Sequence, residues 1–204
     1  VMIAENIREY LRKTPVSDVD GQLLPGCFFT DGLSVPGCAY RHIGHAGWGE
    51  FFTKHSDYMP SKVAFCDWNH FCTDYRFILK RGFKGRLETI REAKEKFAGD
   101  REKLDFLDAC EIIVDAIREM SGRLGGIVPY EPAESFDDAV KSVWVSFLLM
   151  PDSIGRLDDL LWPYYKHDLD AGIITREHAV EMIGEFLVKI FAHVGPGSHK
   201  SGDN

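Results

Sequence analysis

Apolar positions along this chain recur mostly at helical spacing. Between Ser153 and Thr175 (SIGRLDDLLWPYYKHDLDAGIIT) the residues Leu157, Leu160, Leu161, Tyr164, Tyr165 and Leu169 follow a 3-4-3 rhythm that predicts a helix. Pro163 falls inside that rhythm, so the helix must kink there or restart with the proline in its first turn. Asp168 and Asp170 lead to Ala171-Gly172, a left-handed stop, and Thr175 caps the next helix with Glu177 in its first turn.

The same reading extends in both directions. Residues 3–13 form an amphipathic helix with Ile3, Ile7, Tyr10 and Leu11 on one side, ended by Thr14-Pro15. From there to about Gly49 helical periodicity gives way to Gly, Pro, Cys and aromatics. LLPGCFF and SVPGCAY repeat a Pro-Gly-Cys pattern at two tight turns. Lys62–Asp67 is short, apolar and strand-like. Residues 86–98 and 101–123 read as helices. The second carries Leu104, Leu107, Ile112, Ile113, Ile117 and Met120 as an apolar stripe running on to Leu124, and Gly125-Gly126 ends it. IVPYEPAES is a loop, Phe136–Met150 a helix apolar on most sides, and the last helix closes at Val194 before an exposed tail over 195–204. The expected organisation is one partial domain: an irregular part over 1–66, a helical part over 67–194, and the tail. The piece by itself is mainly α.

Composition narrows the function classes. With 204 residues and 45% hydrophobic content the chain can bury a sizeable core. A net charge of −8 argues against a nucleic-acid partner, and no apolar run approaches the roughly 20 residues of a membrane helix. The first residues show no signal-peptide pattern. Five cysteines at irregular spacing, with no CxxC, point to a reducing cytoplasm rather than a disulfide framework. Val at position 1 and the polar ending SHKSGDN suggest a piece of a longer protein.

Histidines 42, 45 and 55 in RHIGHAGWGEFFTKH raise the possibility of a metal site, since a spacing of three places two of them on one helical face. Gly44, Gly47 and Gly49 work against that helix, and no HExxH pattern is present, so an ordered loop is the favoured reading. Cys27 and Cys38 read as small buried residues after turns rather than nucleophiles.

The wording of Gly-Arg-Leu-Asp, Trp-Pro-Tyr-Tyr-Lys and Ile-Thr-Arg-Glu resembles a stretch of the glycyl radical enzymes, the pyruvate formate-lyase-like family, close to SIGRLDQYLYPYYKKDLEEGRITREEA. DWNHFCTDYRFILKRGFKG, 67–85, resembles a second family segment, with His70, Asp74, Tyr75, Leu79, Gly82 and Gly85 in the matching places. Asn69 and Thr73 stand where glycine and proline are usual.

The resemblance implies the helical part of a ten-stranded α/β barrel. In that fold a backbone glycyl radical passes to a cysteine that abstracts hydrogen from a small-molecule substrate inside a dry cavity. It further implies a separate S-adenosylmethionine-dependent iron–sulfur activating enzyme, anaerobic metabolism in the cytoplasm, and a homodimer. The family's Gly-Cys-x-Glu and Arg-Val-x-Gly patterns do not occur here; Phe29 and Tyr40 stand two places after Cys27 and Cys38. No catalytic, cofactor-binding or metal residue is therefore assigned, and this chain alone is not expected to turn over substrate.

What the resemblance leaves is substrate pocket. His70 matches a histidine that hydrogen-bonds a substrate hydroxyl in dehydratase members, the alternative being a core histidine. Ser153 corresponds to a pocket serine, here in a shortened MPDS loop, and Asp67 and Trp68 flank His70. Arg156, Asp158, Trp162, Tyr164 and Tyr165 match best of all, yet read as core or subunit packing; an Arg–Asp pair two apart is expected to serve different neighbours along a helix. The leading reading is a portion of a radical lyase or dehydratase. The rivals are a non-catalytic helical binding or regulatory module of the same descent, and a small metal enzyme using His42, His45 and His55.

Overall fold

A computed structural model describes residues 1–13, 22–24, 72–124, 128–149 and 153–194. Within them the secondary structure is helical: α1 (Met2–Lys13), α2 (Tyr75–Lys96), α3 (Arg101–Arg123), α4 (Phe136–Leu149), α5 (Leu157–Asp170) and α6 (Arg176–Val194). The mainly α expectation holds, as do the bounds of α3 and the ends of α1 and α6.

α4 is the centre because its sequence is apolar nearly all round. Ala139, Val140, Val143, Trp144 and Val145 are fully buried, which suits a helix packed from several sides rather than along one stripe. Trp144 meets Phe186 of α6 edge-on at 6.1 Å and lies near Phe147 at 6.4 Å. Leu11 of α1, Ile117 and Met120 of α3, and Leu160 and Leu161 of α5 complete the same core. α1 lies along α3, where Arg12 pairs with Glu119 and the Arg123 guanidinium donates to the Leu11 and Arg12 carbonyls. A second, smaller core of Leu87, Ile90 and Val114 joins α2 to α3.

α2 begins at Tyr75, eleven residues before the start that periodicity predicts, since Asp74 caps it by accepting from the Phe77 N–H at 3.2 Å. Its early part was illegible because Gly82, at φ 62° and ψ 179°, breaks the helix there. Residues 129–133 wedge into the break. Phe83 N–H donates to Pro129 O (3.1 Å), Lys84 N–H to Tyr130 O (2.9 Å), and Ala133 N–H to Leu79 O (2.9 Å). The backbone groups that the helix gives up are thus satisfied by the loop.

α5 runs unbroken through Pro163 instead of restarting at it. Asp159, whose carbonyl loses its usual donor, is exposed like Pro163 itself, so water can take that place. The helix stops as its sequence indicates: Ile173 N–H bonds Asp168 O at 2.8 Å, Gly172 N–H bonds Leu169 O at 3.1 Å, and Gly172 has φ 68°. Thr175 then accepts from the His178 N–H at 3.1 Å as the cap of α6.

Candidate functional site

Two chain segments, one entering α2 and the other leading to α5, meet at one edge of the helical body. Cys72 and Ser153 form an isolated parallel bridge just before α2 and shortly before α5. Both residues are exposed, and the Ser153 hydroxyl accepts from the Gly155 N–H at 3.2 Å. His70, Asp67 and Trp68 lie outside the described residues, as do Met150–Asp152 of the shortened loop. Of the four proposed pocket residues, Ser153 is the one whose surroundings are described.

Close approach at this edge depends on Gly155. Its φ is 60°, and a Cβ built there would stand 2.6 Å from the Cys72 sulfur. Gly155→Ala is expected to cost about 1–2 kcal/mol through the left-handed backbone and the sulfur contact. A Cys72→Ala change in the same chain should restore part of that loss, because the sulfur is the atom in the way. Thermal unfolding of the two single variants and the double variant checks this. Equal losses in Gly155→Ala with and without Cys72 would leave only the backbone contribution.

Charges fix the two helix starts that frame the edge. Asp74 accepts from Arg86 at 3.1 Å, and Arg76 of α2 pairs with Asp159 of α5. Arg156 is bidentate to Asp158 at 2.8 and 3.1 Å, which corrects the expectation that each serves a different neighbour. The reason is positional: Arg156 precedes the first helical residue, so the helical i,i+2 geometry does not govern it. The Arg156 hydrogen bonds, helped by a backbone N–H at Asp159, hold the Asp158 carboxyl at about 2, and the same pairing raises Arg156.

A groove of about 640 Å³ runs between α5 and α6 over Phe136. Leu157, Leu161, Trp162, Tyr165, Val180 and Leu187 line it, with Asp158 and Arg176 as its charged residues. Trp162 is 59% exposed, so within the described residues it packs into no core. Ser153, the one described pocket candidate, does not line this groove. Among the described residues no group of three or more His, Cys, Asp or Glu side chains could hold a metal ion; His42, His45 and His55 lie outside them.

The pyruvate formate lyase-like family matches residues 54–125 and 122–201. The chain belongs to that family. It is 31% identical to an isethionate sulfite-lyase of Oleidesulfovibrio alaskensis over 57% of its own length and 18% of that protein's. Among solved structures it resembles a glycyl radical enzyme from Archaeoglobus fulgidus at 20% identity and TM-score 0.67, covering 95% of this chain and 36% of that one. A structure concerned with 1,2-propanediol dehydration in Roseburia inulinivorans gives the same identity and TM-score over 94% and 34%. The chain therefore spans under a fifth of the curated relative it matches and about a third of the solved ones, and its helices are the helical part of the glycyl radical enzyme fold. Full-length forms of these relatives imply a glycyl radical. No helix among the described residues is long and apolar enough to cross a membrane.

Three side chains that hold this family fragment together escape a reading of the sequence. Asp168, 1% exposed, accepts from the Phe136 N–H at 2.7 Å and so caps α4 from α5. Glu185 accepts from the Leu23 and Leu24 N–H groups at 2.8 Å each, and Lys189, 4% exposed, donates to Leu24 O at 2.7 Å. Their partners are 32 to 165 residues away, so no local pattern announces them. The one available signal is charge at an inward position of an otherwise apolar helix face.

Proposed function

We propose that this chain supplies part of the substrate-pocket wall of a glycyl radical lyase or dehydratase, with the radical glycine and the thiyl cysteine contributed from outside these 204 residues. The observation that carries the reading is the Cys72–Ser153 bridge. Asp67, Trp68 and His70 precede that bridge by two to five residues in sequence. That nearness in sequence is the ground on which they are proposed to share a pocket with Ser153. Isethionate and 1,2-propanediol, named for two relatives, are both small hydroxylated molecules, and a small hydroxylated substrate is proposed here. A neutral imidazole at His70 suits its hydroxyl because it both donates and accepts. Ser153 adds a second polar contact from the facing segment.

The chemistry would be radical cleavage of a C–C, C–O or C–N bond in the complete protein. The proposed setting includes a protein glycyl radical, an S-adenosylmethionine-dependent iron–sulfur activating enzyme, a homodimer, and the cytoplasm. None of the residues present fits the radical itself: neither Gly-Cys-x-Glu nor Arg-Val-x-Gly occurs in the sequence. That same absence favours a second reading, a non-catalytic binding or regulatory module of the family.

Reading the encoding DNA past codon 204 separates the two. A frame that continues into Gly-Cys-x-Glu and Arg-Val-x-Gly loops supports the enzyme, whose His70→Ala and Ser153→Ala variants should each lose about 10- to 100-fold in kcat/KM after anaerobic activation. Unchanged kinetics in both variants would remove these residues from the pocket. A stop codon after Asn204 would sink the catalytic reading and leave the binding module.

A further inference from the structure

The groove between α5 and α6 is strongly apolar, yet nothing in the structure shows what covers it. The contact between α6 and residues 22–24 is better determined. Leu23 and Leu24 belong to no helix, but their main chain is gripped at three points by side chains one helical turn apart. The two Glu185 oxygens take one N–H each at 2.8 Å, and the Lys189 ammonium takes the Leu24 carbonyl at 2.7 Å. Glu185 and Lys189 face each other at 3.8 Å, and Lys189 sits 5.5 Å from the centre of the Trp144 ring.

We propose that α6 carries a binding site for a bent peptide main chain, built from Glu185 and Lys189 and filled here by the chain's own Leu23-Leu24. Several features set it apart from an ordinary packing contact. A lysine buried to 4% exposure in an apolar core is retained only when its charge is answered, and here a carboxylate and a carbonyl answer it. The polar contacts read N–H, N–H and C=O, groups that every non-proline residue presents, so they specify a main chain and not a side chain; the chain bends at Leu23 and Leu24, which lets two consecutive N–H groups reach one carboxylate. Selectivity comes from one place: the Leu24 side chain, 1% exposed, fills the core beside Trp144 and Phe186. The ligand class is a bent peptide segment with an apolar residue at the second clamped position. In the intact chain the segment acts as a strap across α4 and α6.

Amide hydrogen exchange on the full chain tests the site directly. In Glu185→Gln one clamped N–H loses its carboxylate acceptor. Exchange at Leu23 or Leu24 should then rise by about 10-fold or more while the amides around Met120 in α3 change by less than about 2-fold. Lys189→Met should loosen the same two amides. Rates at Leu23 and Leu24 that stay unchanged, or rise only in step with Met120, overturn the proposal. A second measurement asks whether the site works in trans. Leu24→Asp places a carboxylate against Glu185 and expels the strap. That chain, if its circular dichroism stays helical, should bind a blocked peptide of residues 20–26 (DGQLLPG) at least about 10-fold more tightly in calorimetry than the wild type, whose site is filled. Adding Lys189→Met should abolish the binding. A helical Leu24→Asp chain that does not bind the peptide overturns the proposal; if Leu24→Asp does not fold, the exchange result on Glu185→Gln decides.

Discussion

Gly82→Ala is expected to destabilise the protein by about 3–5 kcal/mol, more than a typical core truncation of one methyl group. Two costs combine. The backbone at φ 62° and ψ 179° lies where essentially only glycine is at ease. A Cβ at that point would also overlap the Tyr130 carbonyl and stand 2.7 Å from the carbonyl carbons of Tyr130 and Glu131. Those atoms are backbone and cannot swing aside. Moving them breaks the bonds from Phe83 to Pro129, Lys84 to Tyr130 and Ala133 to Leu79, each worth about 1 kcal/mol net and more when a buried partner is left unpaired. The helix could regain continuity by bonding Phe83 N–H to Leu79 O, but Ala133 N–H would then lose its acceptor. Urea unfolding of the wild type and variant measures the difference. A loss below about 1 kcal/mol would mean that the 129–133 wedge is not fixed against α2 as described.

Asp168→Ala should cost about 2–4 kcal/mol, because it removes a carboxylate that is nearly sealed from water and joins α4 to α5. One oxygen accepts from Phe136 N–H at the start of α4, the other meets His167 Nδ1 at 2.8 Å, and the residue's own carbonyl closes the α5 stop. Leaving the Phe136 N–H without its partner at a buried helix start carries much of that cost. Asp168→Asn keeps one acceptor and should lose less. The carboxylate also shapes the acid response. Burial, the largest influence, pushes its pKa up, but the Phe136 N–H and His167 together outweigh it, so the group titrates below its usual range. A depressed folded pKa contributes stability that is present above the unfolded value near 4 and is lost as pH falls through the folded one. Unfolding free energy should therefore drop below about pH 4 in the wild type, and by less in Asp168→Asn. Parallel pH profiles for the two proteins would show that the Asp168 carboxyl titrates alike in the folded and unfolded chain.

Both residues show where a sequence is legible and where it is not. Gly82 stands at a position that matches the family wording, so its importance is visible in the string RGFKG, yet the reason is not. Nothing local says that residues nearly fifty places onward insert their backbone there. Asp168 looks like part of an acidic, solvent-facing turn with Asp170, and Lys166 does pair with Asp170 at 2.6 Å on the surface. The rotation of α5 against α4 is what turns Asp168 inward while its neighbours stay exposed. Trp162 differs from both: core or subunit packing is the expectation, and of the two its 59% exposure sets aside the core among the described residues. Aromatic character predicts packing, but the side chain stands on the open wall of the α5–α6 groove.

Sequence by itself determined the mainly helical class, the bounds of α3, the stop at Ala171-Gly172, the Thr175 cap and the family, because each rests on spacing or wording within a few turns of one helix. The proposal of Ser153 as a pocket residue comes from resemblance alone. Tertiary structure decided the rest: the break of α2 at Gly82, the pairing of Cys72 with Ser153, the Arg156–Asp158 contact ahead of α5, and the burial of Asp168 and Lys189. Each of these is a backbone or charged group satisfied by a partner outside its own helical pattern, most of them tens of residues away. A periodicity scan reads which face of a helix is apolar. It carries no information about which distant N–H or C=O will meet the polar groups that face holds.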